Sequence, residues 1–373
     1  MRVIGIETSC DETAAAVVSE TELKERPWRI DSSVISSQAN IHREWGGVVP
    51  ELASRQHIRD ICGVVERSLV EAQIQWSDLD AVAVTQGPGL IGSLLVGVAF
   101  AKSLSASLGL PLIPVNHLAG HIESLVVENG TLPKPAIVLV VSGGHTSLYF
   151  VPEDNEYRLV GRTRDDAAGE AFDKVAALLG LGYPGGPAID RLAKSGDDFS
   201  VDFPIARITH PDRNDGPELA SPLGFSSVLK GRMEFSFSGL KTSVKRHVAS
   251  RRTALGIDET GSLSAVEVAD ISASFQRVVV ETLLSRTFEA VKWFGAKSLG
   301  IAGGVSANSR LRDDAMSRSE ALGLPLFLPS LSLATDNAAM IAAAGLRNFH
   351  DGVKGALSID AVASLPLGTH QFE

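Results

Sequence analysis

VIGIETSCDETAAAVV, residues 3–18, has the pattern of a β-hairpin. Val3–Ile6 is a short, branched apolar run, Glu7–Thr13 a polar turn, and Ala14–Val18 a second apolar run. The same design recurs in IVLVVSGGHTSLYFV, residues 137–151, where Ile137–Val141 reads as a buried strand, Ser142–Thr146 as the turn and Leu148–Val151 as the return. No short-period repeat is present. The echo of one hairpin about a third of the chain later predicts two related lobes.

Outward from these hairpins, strands alternate with helices. Asp80–Thr85 and Leu112–Val115 read as strands, and Ser93–Leu108 as a helix after the Gly87–Gly92 loop. Asn116 stands where a cap is expected for a helix from His117 to about Val127. Gly130–Pro135 has turn composition and separates the halves. Further on, Asp165–Leu179 and Ala188–Lys194 read as helices around a Gly180–Pro187 loop, and Ile271–Phe294 as a long amphipathic helix. Ser298–Ala302 reads as a strand, and Thr335–Phe349 as a last helix capped by Thr335. The alternation predicts an α/β protein with parallel or mixed sheets covered on both faces.

Composition narrows the function. The chain has 373 residues, 34 Lys plus Arg against 44 Asp plus Glu, and a net charge of −10. A mean hydropathy of +0.13 and 44% hydrophobic residues exclude disorder as a whole. The negative charge argues against a simple polycationic nucleic-acid binder but leaves room for a local basic patch. Cys10 and Cys62 make neither a disulfide framework nor a CxxC zinc ribbon. Val3–Ile6 is too short for a signal-peptide core, and the apolar stretch Leu90–Ala101 is interrupted by Gly92 and Gly97. A soluble, cytoplasmic protein with no membrane association is expected.

The chemistry concentrates in a few places. In NHLAGH (116–121), His117 and His121 are i and i+4, so a helix projects both imidazoles from one face, as two ligands of one metal require. Two half-buried, hydrogen-bonded helix histidines are the blander alternative. Asp336 is the candidate third ligand; otherwise it is a carboxylate favoured at a helix start. A zinc protease of HxxxH type is disfavoured, because Leu118 occupies the position where HExxH carries its general base.

The glycine turns at Ser142–His145, Gly185–Pro187 and Gly303–Gly304 permit close backbone approach to a phosphate-bearing ligand, yet none is a P-loop or a Rossmann fingerprint. The acidic turn Glu7–Thr13 is either a site or a solvated hairpin tip. Asp173 and Asp190 flank the Gly185–Pro187 loop. Lys241–Arg252 holds five Lys or Arg residues and His247, either a solvated helix face or a local contact for phosphates.

Ten ordered blocks carry a more specific signal. IETSCDET (6–13), GGVVPELASRQH (46–57), QGPGL (86–90), NHLAGH (116–121), VSGGHT (141–146), GEAFDK (169–174), YPGGP (183–187), FSFSGLKT (235–242), GGVSAN (303–308) and TDNAAMIA (335–342) span nearly the whole chain. Together they closely resemble the tRNA N6-adenosine threonylcarbamoyltransferase family of bacterial type, formerly described as O-sialoglycoprotein endopeptidases. Departures are few. Ala119 stands where many members have Glu, Ala334 replaces a frequent Cys, and Ile208–Val228 looks like an insertion.

The resemblance implies two RNase-H-like lobes of the actin/hexokinase/Hsp70-like (ASKHA) fold with a central cleft. The N-terminal lobe would be 1–130, and the C-terminal lobe 131–335 with an irregular insertion at about 197–235. Residues 336–373 would pack back across the lobes. The implied activity is acyl transfer: the threonylcarbamoyl group of threonylcarbamoyl-AMP passes to N6 of adenosine 37 in tRNAs reading ANN codons.

The resemblance also implies one divalent metal ion per subunit, Fe(2+) with Zn(2+) as the alternative, on His117, His121 and Asp336. Donor contacts fall on Val140, Val141, Ser142, Gly143, Gly144, Asp173, Gly186, Asp190 and Asn308, and catalysis on Asp11 and Glu12. Partners would be tRNA, a non-catalytic paralogue subunit and a small ATPase subunit. A small-molecule carbamoyltransferase is the alternative on the same fold.

Overall fold

Residues 3–18 form the expected hairpin in a computed structural model that describes residues 1–206, 233–258 and 261–368. Strand β1 (Arg2–Glu7) pairs antiparallel with β2 (Glu12–Glu20), Gly5 opposite Ala16, so the turn is only four residues long. β2 pairs antiparallel with β3 (Trp28–Ser37), while β4 (Ala81–Gly87) joins β1 and β5 (Leu112–Asn116) joins β4, both in parallel. The sheet order is β3-β2-β1-β4-β5.

The second hairpin builds the same sheet again. β6 (Ala136–Val141) and β7 (Thr146–Val151) pair antiparallel, β8 (Arg158–Arg162) extends β7, and β9 (Ser298–Ala302) lies parallel to β6. With β10 (Leu326–Phe327) the order is β10-β9-β6-β7-β8. In chain order the two sheets have one topology: a central strand, two antiparallel neighbours to one side, and two later strands to the other. The echoed hairpins are thus the visible part of a duplicated α/β plan. Chain contacts divide the protein into two compact units. One comprises 1–133, 153–156 and 327–368; the other comprises 134–152 and the described residues of 157–326.

Period-two alternation explains how the first sheet is covered. Ile4 and Ile6 point into a core shared with Ile61, Val65 and Leu69 of the helix Pro50–Ala72 and with Val98 and Ala101 of the helix Ile91–Leu108. Each Ile, Leu or Val side chain withdrawn from water contributes ~1.5–3 kcal/mol. Gly5 points to the other face. A β-carbon there would come within 2.4 Å of the Ala338 carbonyl oxygen, because the helix Ala338–His350 lies directly on the strand. The Ile91–Leu108 helix is long and apolar enough to cross a membrane, with a hydropathy of 1.6 over 18 residues. In this fold it buries Leu94, Val98 and Ala101 and leaves Ile91 and Leu95 exposed.

Several boundaries differ from the sequence-based expectation. The last helix starts at Ala338, capped by Asn337 rather than Thr335; the Asn337 side chain accepts from the Met340 N–H at 2.9 Å. The long helix runs Ala265–Phe294, starting six residues before Ile271, because Ser264 and Glu267 form a capping box at its N-terminus. Gly185–Pro187 is the first turn of the helix Gly185–Ala193, not a loop. The Pro50–Ala72 helix and strands β3 and β8 were not anticipated. The insertion read at 208–228 lies outside the described residues, apart from which 197–206 is irregular, as is Met233–Ser236 except for a bridge from Phe235 to Thr163.

Candidate functional site

The helix His117–Asn129 begins where β5 ends. Asn116 caps it, accepting from the Leu118 N–H at 2.9 Å, so His117 is its first residue and His121 stands one turn on. The two rings meet edge to face with centroids 4.7 Å apart, and both are buried. Asp336 precedes the Ala338–His350 helix and is held in place by Asn337, whose side-chain amide donates to the Thr335 carbonyl at 2.9 Å. One carboxylate oxygen, Oδ1, faces both imidazoles: 3.5 Å from Nε2 of His117 and 3.3 Å from Nε2 of His121. One ligand atom from each of the three residues lies within 4.8 Å of the others.

The far side of His117 is also built. Nδ1 lies 3.0 Å from Oε2 of Glu7 and 3.2 Å from the Ser9 hydroxyl. Glu7 is wholly buried at the end of β1 and accepts hydrogen bonds from the Thr85 hydroxyl at 2.7 Å and from the Ser9 N–H. In the neutral ring, with Nδ1–H donating to Glu7, Nε2 is the lone-pair nitrogen and points to Asp336. A carboxylate behind a ligand histidine fixes its tautomer and raises its basicity. In the sequence Glu7 stands only as the first residue of the acidic turn Glu7–Thr13, with no role of its own. Its signal was a carboxylate closing a fully apolar strand, a position costly to occupy without a partner.

Electrostatics follow from this packing. Burial disfavours a charged ring at His117, but the carboxylates of Asp336 and Glu7 outweigh it and lift its pKa to about 9. Burial likewise opposes the charge on Glu7, and the attraction and hydrogen bond of His117 reverse that, leaving the carboxyl below its ordinary value. His121 moves the other way: burial lowers its pKa and Asp336 only partly compensates. Neither of its ring nitrogens has a well-directed hydrogen-bond partner among the described residues.

A buried, neutral imidazole with no well-directed hydrogen-bond partner suits a metal ligand. Ligand atoms ~2.1 Å from one ion at tetrahedral angles are ~3.4 Å apart, in line with the separations of 3.5 and 3.3 Å from Asp336 Oδ1. Two imidazoles and one carboxylate also form a set that zinc or iron(II) takes with coordination positions left open. The residues therefore fit a divalent ion.

The turn between β1 and β2 lies in the same unit and is largely buried, which overturns the solvated-tip alternative: Thr8, Ser9 and Asp11 are each under a tenth exposed. The Thr8 hydroxyl donates to the Ser93 carbonyl at 2.9 Å. His57, fully buried on the Pro50–Ala72 helix, braces the turn from below. Its Nε2–H donates to the Cys10 carbonyl at 2.9 Å, and Nδ1 accepts from the Thr13 hydroxyl at 2.7 Å. Glu12 accepts from the Ser37 hydroxyl at 3.2 Å. Burial, then the neighbouring Asp11 and Asp336 carboxylates, raise its carboxyl well above the ordinary value.

In the second unit the expected donor-contact residues adjoin one another at the carboxyl ends of β6 and β9. Val140 and Val141 are wholly buried, so only their backbone is available to a ligand. Ser142 closes its turn by donating its N–H to the His145 carbonyl at 2.8 Å, and Gly143 and Gly144 stay exposed at the tip. The Ser142 carbonyl accepts from Gly169 at 3.2 Å, at the start of the helix Ala168–Leu178.

Asp173 of that helix accepts from the Gly185 N–H at 2.7 Å, placing the half-buried Gly186 beside it. Asp190 accepts from the Ser309 hydroxyl at 2.8 Å, and Asn308 caps the helix Ser309–Leu322 while its amide donates to Gln276 at 2.9 Å. Gly303 completes the ring: at φ 91°, a β-carbon would stand 2.5 Å from the Val141 carbonyl.

A sequence model of the family described as tRNA N6-adenosine threonylcarbamoyltransferase matches residues 29–343. Proteins with that description from Koribacter versatilis and Moorella thermoacetica are 47% and 45% identical to this chain. Each alignment covers 98% of the chain and 98% or 97% of the relative. Among solved structures, HypF of T. kodakarensis superposes with a TM-score of 0.55 at 14% identity, over 94% of this chain and 48% of that one. That likeness concerns the fold alone, and with the duplicated sheets it supports the α/β ASKHA class.

Proposed function

The chain belongs to the tRNA N6-adenosine threonylcarbamoyltransferase family, and from that premise we infer that it transfers threonylcarbamoyl from threonylcarbamoyl-AMP to N6 of adenosine 37 in tRNAs reading ANN codons. The single observation that carries the reading into chemistry is the meeting of His117, His121 and Asp336, with Glu7 fixing the His117 tautomer.

In the transfer, N6 attacks the carbamoyl carbon and a C–N bond forms. The bond from that carbon to the phosphate oxygen breaks, AMP departs, and N6 gives up a proton. The nucleophile is weak because its lone pair is delocalised into the purine, so the site must orient the donor and take the proton. His117, His121 and Asp336 would hold a divalent ion, which we assign as Fe(2+) with Zn(2+) as the alternative, and which would supply positive charge to the site.

Glu7 keeps the proton on Nδ1 of His117 and leaves Nε2 facing inward. Asp11 or Glu12 takes the N6 proton; burial and the neighbouring Asp11 and Asp336 carboxylates make Glu12 a stronger proton acceptor than a free carboxylate. The exposed Gly143–Gly144 tip offers backbone N–H groups to the donor's phosphate. Asp173, Gly186, Asp190 and Asn308 hold the surrounding ring of backbone in which the nucleotide end sits.

The protein acts in the cytoplasm, where its tRNA substrate is found, with a non-catalytic paralogue subunit and a small ATPase subunit as partners. The deciding experiment combines the full chain, these partners, threonylcarbamoyl-AMP and unmodified tRNA, followed by mass spectrometry of the digested tRNA. Modified adenosine that vanishes with His117→Ala supports the reaction and the site. Absence of product from a fully folded wild-type complex, with threonylcarbamoyl-AMP still consumed by small amines, would move the assignment to a small-molecule carbamoyltransferase. Metal analysis of anaerobically purified protein tests the iron assignment.

A further inference from the structure

The Ser238–Leu255 helix stands out in an acidic chain. Its 18 residues include Lys241, Lys245, Arg246, Arg251 and Arg252 but no Asp or Glu, whereas the whole chain carries −10. Leu240, Val244 and Val248, spaced four apart, form its buried edge and fix which way the rest points.

Two of the five cations are neutralised locally. Lys241 Nζ sits 2.7 Å from Asp166, and Arg251 Nη2 sits 2.7 Å from Glu267. Arg252 donates to the Gly261 carbonyl at 2.9 Å, which positions the guanidinium without cancelling its charge. Lys245 and Arg246 are exposed and make no ion pair among the described residues.

At ~100° per residue, Lys245 and Arg252 (i, i+7) share one edge of the outward face and Arg246 stands near its middle, opposite the buried edge. Between them lie Thr242, Ala249 and Thr253, all exposed and all small. The face is therefore positive and low in relief. Between Lys241 and Thr253 it exposes no large apolar side chain that could anchor a protein partner.

We propose that this face is a contact for the sugar-phosphate backbone of the tRNA, with Lys245, Arg246 and Arg252 as its cations. The proposal rests on the reading of tRNA as the substrate. It accounts for how a chain of net negative charge retains a polyanion: the charge that matters is local, and phosphate contacts gain their free energy from released counterions.

The test uses the full chain with its partner subunits and unmodified tRNA. The double variant Lys245→Ala/Arg246→Ala is compared with wild type by fluorescence anisotropy at several salt concentrations. Thermal unfolding and metal content check that the fold is intact. The expected result is a Kd raised about tenfold at physiological salt. The slope of log affinity against log salt should shrink by about 1–2, with affinity restored in Lys245→Arg/Arg246→Lys.

A Kd within about twofold of wild type, or a weaker Kd with an unchanged salt slope, overturns the proposal. So does loss of a partner subunit with tRNA affinity intact, which would give the face to an acidic protein surface. Failure of the wild-type complex to form modified adenosine is a separate result. It counts against the activity, while the salt titration still decides the contact.

Discussion

The Glu7 carboxylate lies 3.0 Å from Nδ1 of His117, both groups withdrawn from water, although 110 residues separate them in the chain. This pair turns a histidine on a helix into an oriented one. Glu7→Gln keeps the size and removes the charge, so the expected outcome is an apparent metal affinity lower by about 10–100-fold. Competition with a chromophoric chelator measures it. An unchanged affinity would mean that the pairing is merely structural.

The same pair sets a pH dependence. Without an ion, His117 holds its proton up to about pH 9. A metal must displace that proton, so apparent affinity should weaken up to about tenfold for each pH unit below 9 until other groups titrate. The stability linkage has the matching sign. Because the folded pKa lies above the unfolded value of 6.5, the contribution of His117 to metal-free stability is complete below pH 6.5 and is lost as pH rises through about 9. Denaturant unfolding of chelated protein between pH 6 and 10 should show this decline, and metal-loaded protein should resist it.

Asn337, not Thr335, caps the helix that carries Asp336 toward the histidines. Asn337→Ala should cost ~1 kcal/mol or more, because the Met340 N–H loses its acceptor, and metal affinity should fall with it. Thr335 is exposed and is engaged through its backbone carbonyl, so Thr335→Ala should leave the melting temperature within about a degree. Equal effects of the two substitutions would contradict the observed cap.

His57 braces the acidic turn from outside the metal centre. His57→Ala strands the Cys10 carbonyl and the Thr13 hydroxyl, at a cost of ~1–3 kcal/mol for each buried group left unpaired. Transfer to tRNA should fall at least about tenfold with metal affinity unchanged, because Asp11 and Glu12 lose their placement while the ligands keep theirs. His57→Gln, able to donate to the same carbonyl, should recover part of the rate. A parallel loss of metal would instead make His57 part of the fold's general stability.

What lay in local patterns was legible in the sequence. Strand runs such as Val3–Ile6 and Ile137–Val141 follow from branched apolar side chains, and the common facing of His117 and His121 follows from 3.6 residues per turn. The Asn116 cap is likewise a local hydrogen bond. The cap at Asn337 was misplaced by two residues because Thr335 and Asn337 are both good caps, and which one faces the first turn depends on how that turn packs on Gly5.

Tertiary structure alone decided the rest. That Asp336 stands within 3.5 Å of both histidines, that Glu7 stands behind one of them, and that the 8–11 turn is buried rather than solvated are contacts between residues up to 219 positions apart in the chain. They exist because one helix packs on the sheet face to which Gly5 and Glu7 of β1 point, and the histidine-bearing helix packs beside it. No window of sequence contains that information, since chain separation places no limit on which side chains close packing brings together.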